Sequence, residues 1–166
     1  MAATAKATAQ VYRVYIKSTP QAIWDALTRS EWTARYGYGG TVQFDLRPGG
    51  KYKAMSAAGM DGTGDPMDMT DGEVLEAEKS TRLVQTWRLL MDPQISAEGF
   101  TRVSYVIEPD GIPGVTRLTL THELQKAPRL AAMVAGEIPQ AGGGWSYILS
   151  DLKTLLETGK SLREGA

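Results

Sequence analysis

His122 is the residue best suited to acid–base chemistry, because it is the only histidine in the chain and its unperturbed pKa lies near neutrality. Leu118 and Leu120 precede it at alternate positions, so on a strand the three side chains share a face and His122 points inward. There it could hydrogen-bond a ligand oxygen or act as a general acid or base. Alternatively, it is a core histidine bonded to a backbone carbonyl or a neighbouring hydroxyl. We favour the second interpretation, and no serine or cysteine nucleophile can be paired with His122 from the sequence.

The amino-acid composition excludes several kinds of site. Cysteine is absent, so there are no disulfides, thiolate metal sites or cysteine nucleophiles, and a single histidine rules out a two-histidine metal site. We therefore expect no metal and no cofactor. Lysine and arginine together number 18 and aspartate and glutamate 19, which gives a net charge of −1. A general nucleic-acid binder carries a strong basic excess, so we expect no nucleic-acid partner.

The distribution of apolar residues bears on location. No apolar run approaches the roughly 18 residues that a membrane span needs. The first ten residues are rich in alanine and threonine and contain no apolar block, so they do not resemble a secretory signal. We expect a soluble cytoplasmic protein.

Aromatic and methionine side chains provide the case for ligand binding. Tyrosine and tryptophan combine an apolar body with one hydrogen-bonding tip, and methionine adapts to irregular apolar shapes. Both properties suit a pocket that holds a mostly apolar molecule. The predicted ligand-cavity residues are Trp32, Tyr36, Phe44, Met55, Met69, Trp87, Val103, Tyr105, Leu120, His122, Trp145, Ile148 and Leu152.

Core packing is the alternative explanation for these side chains. We favour it for Trp24, Phe44 and Trp145. For Met55, Met69, Trp87 and Tyr105 the sequence supports both interpretations equally.

The order of predicted elements begins with a strand over residues 11–17. Thr19 before Pro20 is typical of a helix start and predicts a helix from Pro20 to about Thr28, with a second short helix from Ser30 to near Gly37. Alternating apolar residues then predict six strands, which are joined by hairpin-length connections and so pair antiparallel. They cover residues 41–46, 51–57, 69–78, 82–90, 100–108 and 115–123, and the glycine- and proline-containing segments 58–68 and 128–144 are candidate lids.

A long amphipathic helix at the C-terminus is the strongest pattern. Trp145, Ile148, Leu149 and Leu152 follow helical spacing, and Gly159 marks the end of the helix. The predicted fold is therefore α+β, with a curved antiparallel sheet of about six or seven strands wrapped around this helix. If the helix does not fill the concave side of the sheet, a cavity remains between them.

One domain accounts for nearly all of the chain. We expect a disordered tail over residues 1–9, a single domain over residues 10–160 and a C-terminal tail over residues 161–166.

Six local strings, taken in order, resemble one superfamily. They are Thr19-Pro20 through Trp24, Arg47-Pro48-Gly49-Gly50, residues 71–76 (DGEVLE), residues 82–87 (RLVQTW), residues 118–122 (LTLTH), and Gly144-Trp145 leading into Leu149 and Leu152. The set is similar to the SRPBCC, or START-like, helix-grip superfamily, which includes the birch-pollen allergens. The branch it resembles is the stand-alone bacterial homologues of the C-terminal domain of the activator of the ninety-kilodalton heat-shock protein ATPase. The resemblance implies the helix-grip fold and a hydrophobic cavity.

Three functions remain open at this point. The favoured one is a non-enzymatic protein that holds a small hydrophobic molecule between sheet and helix. The second is a cyclase- or hydratase-type enzyme that uses the same cavity, with His122 as acid or base. The third is a chaperone-associated interaction protein, although the eukaryotic co-chaperone has a further N-terminal domain for which these residues leave no room. The sequence neither favours nor excludes a homodimer formed through an edge strand.

Overall fold

The structure is a computed structural model and describes residues 9–59, 63–139 and 141–164. Most of the expected N-terminal tail, residues 1–8, lies outside the described residues, as do residues 60–62 and 140 of the two candidate lids and residues 165–166 of the expected C-terminal tail. Ala9 belongs to the first strand.

Seven strands and five helices form within the part of the chain that the structure describes. In chain order they are β1 (Ala9–Ile16), α1 (Pro20–Thr28), α2 (Ser30–Thr33), β2 (Thr41–Phe44), β3 (Lys51–Met55), β4 (Asp68–Glu78), β5 (Arg82–Leu89), α3 (Pro93–Ser96), β6 (Thr101–Pro109), β7 (Thr116–Glu123), α4 (Pro128–Val134) and α5 (Gly144–Thr158).

The strands form one antiparallel sheet in the order β1-β7-β6-β5-β4-β3-β2. From β2 to β7, each strand pairs with the strand that follows it in sequence. Strand β1 instead pairs with the last strand, β7, and Tyr12 lies opposite Leu120. Helices α1 and α2 carry the chain from one sheet edge to the other. This is the α+β helix-grip architecture, and it confirms the predicted fold class.

Local chemistry explains the two helices that the sequence predicted best. The Thr19 hydroxyl accepts a hydrogen bond from the Ala22 N–H at 3.1 Å, and Pro20 occupies the first turn of α1. Helix α5 ends where Gly159 adopts a φ of +80°, which lets its N–H reach the Leu155 carbonyl at 2.8 Å. Trp145, Leu149 and Leu152 of the apolar stripe of α5 are buried, as their helical spacing predicted, and Ile148 is half-buried.

The structure differs from the predicted elements in two short helices. Helix α3 begins after Asp92, whose carboxylate accepts hydrogen bonds from two N–H groups of the first turn. Helix α4 lies in the candidate lid over residues 128–144, where no helix was predicted, and Ala127 provides no side-chain cap. Instead, the Glu98 carboxylate accepts hydrogen bonds from the N–H groups of Arg129 and Leu130 at 3.1 and 2.9 Å. Pro128 in the first turn was one local signal for α4, but its cap comes from a distant segment and leaves none, and α4 was missed.

Helix α5 crosses the concave side of the sheet off centre. It packs mainly against β1, with smaller contacts to α1 and α4. The core beneath it is filled by inward-facing strand residues such as Val103, Ile107, Leu118 and Leu120, each 3% exposed or less. The position of α5 leaves space toward β3, β4 and β5. Within the described residues, every helix is too short or too polar to cross a lipid bilayer.

Candidate functional site

A two-lobed cavity lies between α5 and the β3–β5 side of the sheet. The outer lobe has a volume of about 410 Å³ and opens to solvent beside the exposed residues Met91 and Ala141. It is lined by Tyr38, Met69, Thr70, Trp87, Leu89, Met91, Asp92, Met133, Val134, Ala141, Gly144, Trp145 and Ile148.

The inner lobe extends the outer one toward α1, α2 and β2, and its volume is about 150 Å³. Six residues line both lobes, so the two form one continuous space: Tyr38, Met69, Thr70, Trp87, Trp145 and Ile148. The inner lobe adds Leu27, Thr33, Tyr36, Gly37, Gly40, Val42, Phe44, Tyr52, Ala54, Tyr105, Leu149 and Leu152.

Strand and helix periodicity places most of this wall. On β5, Trp87 and Leu89 are two residues apart and therefore face the same side of the sheet. On α5, Trp145 and Ile148 are three apart and share a helix face. Strand β4 is different, because the adjacent residues Met69 and Thr70 both line the cavity.

A β-bulge explains the exception on β4. Ala54 of β3 pairs with Thr70, but the next residue, Met55, pairs with Asp68. Met69 is therefore left without a partner in the ladder, which breaks the alternation of side chains. The bulge brings two consecutive side chains to the same cavity.

A close approach between α4 and α5 shapes the mouth of the outer lobe. Gly144 has a φ of +65°, and a Cβ atom there would lie 2.1 Å from the Val134 carbonyl oxygen. Only glycine permits this contact, which holds the end of α4 against the start of α5.

The side chain of His122 is hydrogen-bonded at both ring nitrogens. The Trp145 indole N–H donates to Nδ1 at 3.0 Å, and Nε2 lies 2.8 Å from the Thr101 hydroxyl. An indole N–H can only donate, so the single proton of the neutral imidazole must be on Nε2 and is donated to Thr101. The Thr101 hydroxyl in turn donates a hydrogen bond to the Trp87 carbonyl at 2.9 Å. Each donor and acceptor in this hydrogen-bonded series, from the Trp145 indole to the Trp87 carbonyl, therefore has a partner.

Burial keeps His122 neutral. The side chain is 0% exposed, and this desolvation lowers its pKa from 6.5 to about 3. Its ring also stands edge-on to Trp87 and Trp145, with centroid separations of 5.3 and 5.9 Å. The geometry therefore favours the structural interpretation of His122: it orients two indoles of the cavity wall and presents no nitrogen to the cavity.

The wall of the cavity is nearly free of charge. Among the described residues, no charged side chain lines the inner lobe, and the outer lobe has only Asp92, whose carboxylate caps α3. Burial raises the pKa of Tyr36, Tyr52 and Tyr105, so all three hydroxyls keep their protons near neutral pH.

The predicted ligand-cavity residues fall into two groups. Those on the cavity wall are Tyr36, Phe44, Met69, Trp87, Tyr105, Trp145, Ile148 and Leu152. The other five lie away from it: Trp32, Met55, Val103, Leu120 and His122.

These five residues have other surroundings. Val103, Leu120 and His122 are completely buried. Trp32 is half-buried beneath the Arg35 guanidinium, which lies 5.1 Å from its ring centroid. Met55 belongs to β3 but contributes nothing to either lobe.

Sequence reasoning missed several residues of the wall, notably Tyr38, Thr70, Met133 and Val134. Met133 and Val134 belong to α4, which was not predicted. For α3, a usable signal was present: Asp92 is a capping residue followed by Pro93, just as Thr19 is followed by Pro20 at the start of α1. For Thr70, a bulge cannot be detected from one strand alone.

The fold and the cavity define a helix-grip protein, and comparison with known proteins assigns the family. A sequence model of the family described as "Activator of Hsp90 ATPase homolog 1-like protein" matches residues 17–157. The chain therefore belongs to this family, which confirms the predicted resemblance. No curated protein shows significant similarity to it.

Solved structures with the same fold come from diverse organisms. A protein from Nitrosomonas europaea is 18% identical with a TM-score of 0.66, covering 92% of this chain and 96% of its own. A protein from Mesorhizobium loti is 22% identical with a TM-score of 0.62, covering 89% and 96%. An HSP90 activator from Plasmodium falciparum is 17% identical with a TM-score of 0.62, covering 90% and 96%. At these identities the similarity demonstrates a shared fold.

Proposed function

We propose that this protein binds a small, mostly apolar molecule in the two-lobed cavity between α5 and the sheet. The observation that carries the proposal is the cavity itself: the outer lobe of about 410 Å³ is lined mainly by aliphatic, aromatic and methionine side chains. Pockets that hold small organic ligands have volumes of about 300 to 1,000 Å³ and similar linings. The outer lobe opens to solvent, so a ligand can enter without unfolding of the domain.

The arrangement of polar groups favours binding over catalysis. A cyclase or hydratase would need a group that exchanges protons with the bound molecule. His122 has both nitrogens engaged and no exposed surface, and the Asp92 carboxylate is engaged at the start of α3. The similarity to the HSP90 activator supports the fold alone and gives no support to chaperone association as a second function.

A cavity-filling substitution tests the proposal. Met69 lines both lobes, so Met69→Trp places an indole in the space that the ligand would occupy. We expect the wild-type protein to bind the apolar dye N-phenyl-1-naphthylamine with an increase in fluorescence. Met69→Trp should weaken the dye's affinity at least about tenfold, which corresponds to about 1.4 kcal/mol.

Met55→Trp is the matched control. Met55 is a half-buried methionine on the neighbouring strand that lines neither lobe, so this variant should bind the dye like the wild type. Thermal unfolding checks that both variants fold. Equal affinity of the Met69→Trp variant and the wild type would refute binding in this cavity, as would a wild-type protein that does not bind the dye.

A further inference from the structure

We infer that the inner lobe is a hydrogen-bonding subsite for the polar end of an uncharged ligand, such as a phenol, an alcohol or a ketone. The inference rests on the proposed function, since it assigns the class of molecule that the cavity holds. The apolar body of the ligand would then occupy the larger outer lobe, next to Trp87 and Trp145.

Unpartnered polar groups in and beside the inner lobe are the first line of support. Tyr105 and Thr33 both line the lobe. Among the described residues, the Thr33 hydroxyl is buried without a hydrogen-bond partner, and the Tyr105 hydroxyl has none either. Buried polar groups are nearly always satisfied, so the buried Thr33 hydroxyl indicates a missing partner, and the Tyr105 hydroxyl is accessible from the same lobe and free to bond that partner.

Gln85 adds a second, independent observation. It is 1% exposed, and neither its amide oxygen nor its amide nitrogen has a hydrogen-bond partner in the described part of the chain. It faces inward from β5 with Trp87, two residues further on. Its amide lies close enough to the Tyr52 hydroxyl to lower the pKa of Tyr52, although burial, the larger effect, raises it. A buried amide with both functions unused costs free energy in the empty protein.

The hydroxyls of Tyr52 and Thr70 complete the polar cluster. They lie 2.8 Å apart, and either one can donate to the other. Both residues line the inner lobe, with Gln85 next to Tyr52. A ligand hydroxyl that donates to Thr70 would let Thr70 donate to Tyr52, and Tyr52 could then turn its proton toward the neighbouring Gln85 amide oxygen, a bond that Gln85 does not make in the empty protein.

The absence of charge selects the class of ligand. No lysine, arginine, histidine, aspartate or glutamate lines the inner lobe within the described ranges. A carboxylate, phosphate or ammonium group placed there would lose its hydration without gaining a counter-ion. A neutral hydroxyl or carbonyl needs only the donors and acceptors that are present.

Three ligands of matched shape test the subsite, with N-phenyl-1-naphthylamine displacement as the assay. Naphthalene, 2-naphthol and 2-naphthoate share one ring system and differ only in polar group. We expect 2-naphthol to bind about three- to tenfold tighter than naphthalene, as one or two buried hydrogen bonds would give. We expect 2-naphthoate to bind at least about tenfold more weakly than 2-naphthol.

Variants assign the effect to the cluster. In Tyr105→Phe and in Gln85→Met, the ratio of the naphthalene Kd to the 2-naphthol Kd should fall toward one. Gln85→Met should also raise the melting temperature, because it removes an unpartnered amide. Tyr12→Phe removes a tyrosine hydroxyl outside the cavity, which is bonded to Gln10, and should leave the ratio as in the wild type.

The outcomes separate this inference from the proposed function. The subsite is refuted, and cavity binding stands, if the dye binds but 2-naphthol displaces it no better than naphthalene does. The same conclusion follows if 2-naphthoate displaces the dye as well as 2-naphthol does. An unchanged ratio in both Tyr105→Phe and Gln85→Met likewise refutes the subsite. If the dye itself does not bind, the proposed function fails and the subsite fails with it.

Discussion

The neutral state of His122 is imposed by its partners and by its burial. Protonation would put a second N–H on the ring at Nδ1, facing the Trp145 indole N–H, and would place a positive charge in the core. The residue is therefore a rigid connector between β7 and the first turn of α5.

The low pKa of His122 predicts a pH-dependent stability. The folded protein takes up this proton only near pH 3, whereas the unfolded chain takes it up near pH 6.5, so stability is full above pH 6.5 and falls as the pH is lowered. Between pH 6.5 and about pH 5 the free energy of unfolding should fall by about 2 kcal/mol. Urea denaturation at a series of pH values measures this.

His122→Gln provides the control for that prediction. Glutamine does not titrate, and it can accept from one neighbour and donate to another. Since His122 is the only histidine, its replacement should flatten the stability profile over this pH range. A variant that loses as much stability as the wild type would show that another group is responsible.

At the level of elements, the mouth of the cavity depends on a helix that is capped from a distance. Glu98, shortly after α3, supplies the acceptors that the start of α4 lacks. Helix α4 in turn contributes Met133 and Val134 to the outer lobe. The segment after β5, which contains α3 and Glu98, and the segment after β7, which contains α4, therefore form one wall of the cavity mouth together.

Removing this cap should loosen α4 selectively. We expect Glu98→Ala to lower the free energy of unfolding by about 1 kcal/mol and to speed amide hydrogen exchange in α4 more than in α5. Glu73→Ala, at an exposed position of β4, is the comparison variant and should leave both measurements unchanged. Unaltered exchange in α4 of the Glu98→Ala variant would contradict this role.

On the scale of the whole molecule, one buried carboxylate joins helix α5 to a loop far away in sequence and to the segment that follows the helix. Asp151 of α5 is 0% exposed; its Oδ2 accepts from the Gly37 N–H at 2.8 Å and its Oδ1 from the Leu162 N–H at 2.6 Å. It holds the loop before β2, part of the inner lobe, and the chain after α5 against the helix. Residues 161–164 are thus attached to the domain.

Asp151→Asn should weaken the attachment of the Gly37 loop and of the Leu162 segment to α5, and so destabilise the whole fold. An amide NH₂ would face one of the two backbone N–H donors, so one charge-assisted hydrogen bond is lost. We expect the free energy of unfolding to fall by about 2 kcal/mol in urea denaturation. Ser150→Asn places the same residue on the exposed face of α5 and should have a much smaller effect. Equal losses in both variants would mean that helix propensity, not the connection, explains the result.

Most of the architecture could be predicted from the chain alone. Each strand end lies within two residues of its predicted position, because alternation and turn residues report locally which side chains must be buried. The start of α1 at Pro20 and the end of α5 before Gly159 follow from capping chemistry that operates over a few residues. The shared inward face of Leu118, Leu120 and His122 follows from the same alternation.

The tertiary structure alone decided which inward side chains face a cavity and which face the core. Tyr105 and Val103 are two residues apart on the same face of β6, yet the first lines the inner lobe and the second is fully buried. Apolar side chains occur both in the cavity wall and in the core, so hydrophobicity does not distinguish them. Which inward side chains line the cavity is set by where α5 crosses the sheet. That position depends on contacts between segments far apart in sequence, such as Trp145 with His122 and Asp151 with Gly37, and no local pattern encodes them.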